Sequence, residues 1–162
     1  MQKLLKAAKL DGKKLCQILK NLERCDFIMK FRYYGKKTQN RLYKLTDFYT
    51  LFYLKYIEPN IDSFDEQWWS KHYLSHSVEA WQGLTFELLC LFHISQIRKA
   101  LNIGGVASEA YIWFDKADKT KNQRGAQIDL IIERADRVIN LCEMKFSQAQ
   151  YKISADYEIK LR

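Results

Sequence analysis

The chain's single proline, Pro59, does more than any other residue to limit what it can fold into. Proline cannot continue a helix and restricts the residue before it. Glu58-Pro59-Asn60 therefore ends the aromatic helix that runs from Phe48 through Tyr49, Phe52, Tyr53 and Tyr56 to Ile57, with Asp47 as its cap. That helix is apolar nearly all round, which predicts burial between two halves of the protein rather than a base-stacking platform. Charge divides at the same place. Residues 1–60 carry 14 Lys/Arg against 5 Asp/Glu, a balance of +9, whereas residues 61–162 carry 13 against 14. The expected organisation is a basic domain over 1–58 and a near-neutral domain over 62–162, the first facing a polyanion.

With 162 residues, 48% of them apolar, the chain can bury a real core. No apolar run reaches the roughly 18–20 residues needed to span a bilayer. The lysine-studded start MQKLLKAAKL lacks the apolar stretch of a secretory signal. Cys16, Cys25, Cys90 and Cys142 lie far apart, with no CxxC and no histidine at zinc spacing. They read as reduced core residues of a cytoplasmic protein.

In the basic third, Leu4, Leu5, Ala8 and Leu10 fall near helical spacing. Leu15, Ile18, Leu19 and Leu22 share one face of a second helix that Asp11 can cap. The period then changes to two. Strands over 27–34 and 41–45 flank a basic polar turn over 35–40. Two helices followed by a hairpin with a basic tip is the order of a winged helix, in which the second helix enters the major groove and the tip touches phosphates. The candidate DNA contacts are Lys13, Lys14, Lys20, Lys36, Lys37 and Arg41. A solubilising lysine-rich surface is the plainer alternative.

The second half opens with a helical segment around Gln67-Trp68-Trp69 and a long helix over about 78–101. Trp81, Leu84, Leu88, Leu91 and Phe92 form one apolar stripe; Cys90, Ile94, Ile97 and Leu101 form another, with Glu87 the one charge in line with it. Strands are expected over 110–114, 126–132 and 138–146, then a polar amphipathic helix over 148–162. Lys116, Lys119, Lys121 and Arg124 precede the middle strand and suit either phosphate contact or a solvated loop.

Chemistry concentrates on the last two strands. If the hairpin folds about Asp136, Ile131 opposes Leu141 and Asp129 opposes Glu143, and strand alternation puts Lys145 on the same face. Both acids interrupt apolar runs, Ile-Asp-Leu-Ile-Ile and Leu-Cys-Glu-Met-Lys-Phe. Two opposed carboxylates without free access to solvent repel each other and imply a compensating cation. Hard oxygen ligands favour Mg²⁺ or Mn²⁺. A surface ion pair of Lys145 with either acid is the competing reading.

Asp129 followed by a short hairpin and Glu143-Met144-Lys145 resembles the signature of PD-(D/E)XK nucleases. Gly83-Leu84-Thr85-Phe86-Glu87 resembles the upstream helix that contributes a further acid in that superfamily. The whole chain is similar to the C-terminal region of prokaryotic AAA-type ATPases, where a winged helix precedes a nuclease-like domain. The matching stretches are Leu42-Tyr43-Lys44-Leu45-Thr46-Asp47, Trp81 to Glu87, and Gly125-Ala126-Gln127-Ile128-Asp129. The resemblance implies an α+β protein, a winged helix followed by a PD-(D/E)XK core, that hydrolyses DNA phosphodiesters with Mg²⁺. Asp129, Glu143 and the Met144 carbonyl would hold the metal. Lys145 would position the attacking water and Glu87 would assist. No GxxxxGK[ST] occurs, so the ATPase domain is an expected partner outside this chain, which reads as a fragment with a shortened nuclease core. The alternatives are a non-catalytic DNA-binding or regulatory module coupled to the ATPase, and a protein-interaction domain.

Overall fold

A two-stranded and a three-stranded antiparallel sheet, packed with short helices, make an α+β fold. The computed structural model describes residues 7–35, 41–63, 65–115, 125–147, 149–153 and 155. Most of the expected first helix, the hairpin tip with Lys36 and Lys37, the Lys116 to Arg124 loop and most of the expected last helix lie outside these.

Helix α1 (Gly12–Arg24) starts where the Asp11 carboxylate accepts a hydrogen bond from the Lys14 amide at 2.9 Å. Its Leu15 and Leu19 are buried, and Lys13, Lys14 and Lys20 face water. Strands β1 (Ile28–Arg32) and β2 (Arg41–Leu45) pair from Ile28 opposite Leu45 to Arg32 opposite Arg41. Helix α2 (Phe48–Phe52) is capped by Asp47, which accepts from the Thr50 amide at 2.7 Å. It widens into a π turn over Tyr53–Ile57 and ends in a 3₁₀ turn, Glu58–Asn60, carrying Pro59.

This aromatic segment is not buried on all sides as its composition suggests. Tyr56 is buried, but Tyr49 is 69% exposed and Leu54 48%. Phe52 and Tyr56 pack among Trp68 and Trp69 of α3 (Trp68–His72) and Trp81 of α4 (His76–Phe92), with ring centroids 5.3–5.9 Å apart. The Tyr56 hydroxyl donates to the Ser77 carbonyl at 3.2 Å. Edge-on aromatic pairs of this kind add about 0.5–1.5 kcal/mol each beyond area burial.

The long helix expected over 78–101 is two helices, α4 and α5 (Ile94–Ala100). In an unbroken helix the Leu89 carbonyl would accept from the His93 amide. Instead the His93 ring Nδ1 occupies that carbonyl at 2.7 Å, and the His93 amide turns to Cys90 at 3.0 Å. Asn102, at φ +56°, closes α5 in the left-handed conformation. Both expected stripes reach the core, one through Leu91 and the other through Cys90, Ile94 and Ile97, whereas Leu84 of the first and Leu101 of the second are exposed.

The second sheet has the order β3 (Ser108–Asp115), β4 (Ala126–Arg134), β5 (Ile139–Cys142). Leu130, Ile131 and Ile132 on β4 are all buried, as a central strand covered on both faces requires. The core joins Phe31, Leu91, Ile103, Ile112, Leu130, Ile132 and Met144. Phe31 comes from β1, so segments on either side of Pro59 share one core. The chain just after β1 runs alongside β3, with the Tyr34 amide donating to the Ile112 carbonyl at 3.0 Å. All four cysteines are free. Cys90 and Cys142 are half-buried against the core, but Cys16 and Cys25 are exposed and are not core residues. Among the described residues, no helix is long and apolar enough to cross a membrane.

Candidate functional site

The β4–β5 hairpin turns through Ala135, Asp136 and Arg137. The Arg134 amide donates to Val138 at 2.9 Å, and Arg137 takes φ +66°. Ile131 stands opposite Leu141 and Leu130 opposite Cys142. The ladder stops at this Leu130–Cys142 pair, one step before the expected pairing of Asp129 with Glu143 and short of the strand expected to 146. Its next amide, that of Met144, donates at 2.9 Å to Asp129 Oδ2 instead of to a strand carbonyl.

On its other edge β4 carries a bulge. Tyr111 pairs with Ile131 and Trp113 with Ile128, so Asp129 and Leu130 together face Ile112. Such a bulge rotates the side chains around it out of strict alternation. Asp129 is 8% exposed, and its Oδ1 accepts from Gln127 Nε2 at 3.0 Å. A buried carboxylate must be compensated by donors or cations, and here two donors hold it in one orientation.

The Lys145 ammonium donates to Glu143 Oε1. Across from them on α4, Glu87 is half-buried. Its carboxyl is pushed above the ordinary range, first by burial and then by the Asp129 charge; Lys44 and Lys145 oppose that rise, and Glu143 adds to it. The Cys90 thiol, one turn along α4, is pushed up by burial and then by Asp129 and Glu87. Glu87 thus lies within electrostatic reach of Asp129, Lys44, Lys145 and Glu143.

Two members of this region are not evident in the sequence motif. Lys44 of β2 and Gln127 of β4 line, with Asp129, a cavity of about 80 Å³. Gln127 lies two residues before Asp129, the spacing that puts strand neighbours on one face. For Lys44 the available signal is its alternation with Leu42, which packs on the core.

The chemistry of the donors, carboxylates and a backbone carbonyl, suits Mg²⁺ or Mn²⁺. Among the described residues no three His, Cys, Asp or Glu side chains stand close enough to hold a metal ion, so Glu87 does not complete a three-carboxylate cage with Asp129 and Glu143. The expected ligand set, two carboxylates and the Met144 carbonyl, does not require that cage.

Among the expected DNA contacts, Lys20 borders a groove of about 430 Å³ with Glu23, Arg24, Lys30 and Tyr43, between α1 and the first hairpin. Lys30 pairs with Glu23 and sits 5.7 Å from the Tyr43 ring centre. Lys13 and Lys14 lie at the start of α1, and Arg41 opens β2 opposite Arg32. Comparison with protein-family models, curated proteins and solved structures finds no match to this chain.

Proposed function

We propose that the chain is a Mg²⁺-dependent hydrolase of DNA phosphodiesters, built as a winged helix followed by a PD-(D/E)XK-like core. The observation that carries this reading is Asp129. It is a buried carboxylate at a β-bulge, held by two donors and close enough to Glu87 to raise its carboxyl. Bulges that re-aim one acid beside others are a feature of functional sites rather than of plain sheet.

Asp129, Glu143 and the Met144 carbonyl would hold the metal. When bound, it would polarise a phosphoryl oxygen and lower the pKa of a bound water. Lys145, steadied by Glu143, places an ammonium where charge develops on the phosphoryl oxygens and orients the attacking water. Glu87, with its raised carboxyl, takes up a proton more readily than a solvated glutamate and serves the water from the opposite side. The exposed Lys13, Lys14 and Lys20 on α1 hold the duplex by its phosphates. The resemblance to AAA-type ATPase C-terminal regions supports an ATPase domain as partner.

The test is cleavage of a linear duplex in Mg²⁺, Mn²⁺ or EDTA by wild type, Asp129→Asn and Lys145→Ala. Metal-dependent cleavage should fall at least ~10²-fold in both variants, the usual scale for a lost acid–base or charge-stabilising group. A wild type that binds the duplex yet leaves it intact in either metal would replace the hydrolase with a non-catalytic DNA-binding module.

A further inference from the structure

We propose that Lys44, on the first hairpin, anchors a DNA phosphate at the mouth of the Asp129 cavity, so that the amino-terminal hairpin supplies part of the site on the second sheet. The proposal deepens the hydrolase reading and rests on it for the identity of the ligand.

The hairpin turns one face inward. Met29 pairs with Lys44 and Phe31 with Leu42, so cross-strand pairing and alternation put these four residues on one side. Met29, Phe31 and Leu42 belong to or pack against the core. Lys44 is the only charge in this set. An apolar side chain there would complete the face, and a lysine on it is costly unless an anion meets it.

Fixed anions lie close by. Lys44 is half-buried and shares the cavity with Gln127 and Asp129, and its charge bears on Glu87. Its ammonium stands 5.8 Å from the Phe31 ring centre, a weak contact, and among the described residues no hydrogen bond or ion pair engages it. The cavity, about 80 Å³, exceeds the roughly 10–15 Å³ that admits one water. Leu42, Ile112, Trp113, Phe114 and Ile128 complete its lining, so Lys44 is the one cationic side chain of the lining that a phosphate oxygen entering it would meet. A phosphate seated there lies beside the acids proposed to direct hydrolysis and is held by a residue of the basic third. That arrangement gives the basic third a role beyond general attraction: it sets which phosphate reaches the acids.

A purely structural Lys44, a counter-ion for Glu87 and Asp129, makes a different prediction, and salt dependence separates the two. Affinity for a 20-base-pair duplex is measured in EDTA over a range of salt for wild type, Lys44→Gln and Lys44→Arg. An anchoring lysine predicts that Lys44→Gln lowers the slope of log affinity against log salt by about 0.9, one phosphate contact, while Lys44→Arg keeps it. An unchanged slope in Lys44→Gln overturns the proposal and leaves Lys44 as a counter-ion. Failure of wild type to bind the duplex overturns both the anchor and the hydrolase. A reduced slope in Lys44→Gln, beside a wild type that cleaves nothing in Mg²⁺ or Mn²⁺, supports the anchor and removes the hydrolase alone. Should Lys44→Gln not fold, amide resonances of wild type are followed as the same duplex is added. Shifts at Met29, Lys44 and Gln127 support the anchor, and their absence overturns it.

Discussion

Replacing Asp129 with asparagine separates the two roles its carboxylate plays, and the sign of the stability change follows from the structure. The carboxylate accepts from the Met144 amide at 2.9 Å and from Gln127 Nε2 at 3.0 Å, one donor to each oxygen. Asparagine keeps one acceptor oxygen and offers an NH₂ in place of the other. Whichever way it turns, a donor meets a donor at a buried position. Losing one hydrogen bond to a charged group costs about 1.5–3 kcal/mol. Acting the other way, the neutral side chain removes the repulsion between Asp129 and Glu87 that helps raise the Glu87 carboxyl. Charges near a protein surface are screened, and Lys44 and Lys145 already oppose that repulsion, so the hydrogen-bond loss wins. In EDTA at pH 7, Asp129→Asn should therefore melt lower than wild type by roughly 3–12 °C, at about 2–4 °C per kcal/mol for a chain of this size. Glu87→Gln provides an internal control. It removes the same repulsion without touching either hydrogen bond, so Asp129→Asn should cost more in the Glu87→Gln background than in wild type. Differential scanning calorimetry of the four proteins measures both effects. If Asp129→Asn melts at or above wild type, the carboxylate does not hold the hairpin end, and the account of why β5 stops at Cys142 fails.

Glu87→Gln itself should flatten the stability–pH profile. Because folding raises the Glu87 carboxyl, its ionisation weakens the wild type as pH climbs from the ordinary carboxylate range through the raised value, and urea unfolding between pH 4 and 7 should show that loss only in wild type. Ile132→Ala, at a fully buried core position, should lower stability by about 2–5 kcal/mol in urea titrations, whereas Ile153→Ala, 64% exposed, should move it by less than about 0.5 kcal/mol. Reversing Lys13 and Lys14 to Glu should weaken binding to all duplex sequences alike in anisotropy titrations; a loss confined to one sequence would mean that α1 reads bases.

Much of the local structure is legible because it is set by neighbours in sequence. Asp11 and Asp47 cap the helices that follow them, each through an amide three residues on. Centring the last hairpin on Asp136 puts Ile131 opposite Leu141, which is the register found. The departures arise where a side chain competes for a backbone group. The His93 ring takes a carbonyl and breaks the long helix; the Asp129 carboxylate takes the Met144 amide and ends β5 early. Periodicity counts apolar positions and has no term for such competition. A second kind of departure comes from long-range pairing. Tyr49 and Leu54 read as core because the run around them is apolar, but it is Phe52 and Tyr56 whose rings pack on the tryptophans, while Tyr49 and Leu54 stay exposed.

The candidate site divides along the same line. Asp129, Glu143 and Lys145 stand out because they lie close together in sequence and interrupt apolar strands. Lys44 lies 85 residues before Asp129 in a segment rich in other lysines, and its alternation with Leu42 is the one local sign that sets it apart from a solvated charge. Its inward placement follows from its pairing with Met29, and its meeting with Asp129 from the packing of Phe31 into the core of the second sheet. The bulge is hidden for a related reason: strict alternation read along β4 gives Asp129 a side of the strand, but the extra residue opposite Ile112 changes where its side chain is aimed. A lysine on an inward hairpin face and an acid at a bulge each weaken the fold when taken alone. They are compatible with a stable core because the Met144 amide and Gln127 Nε2 hold the Asp129 carboxylate, and because the Lys44 charge meets Glu87 once the hairpin packs on the second sheet.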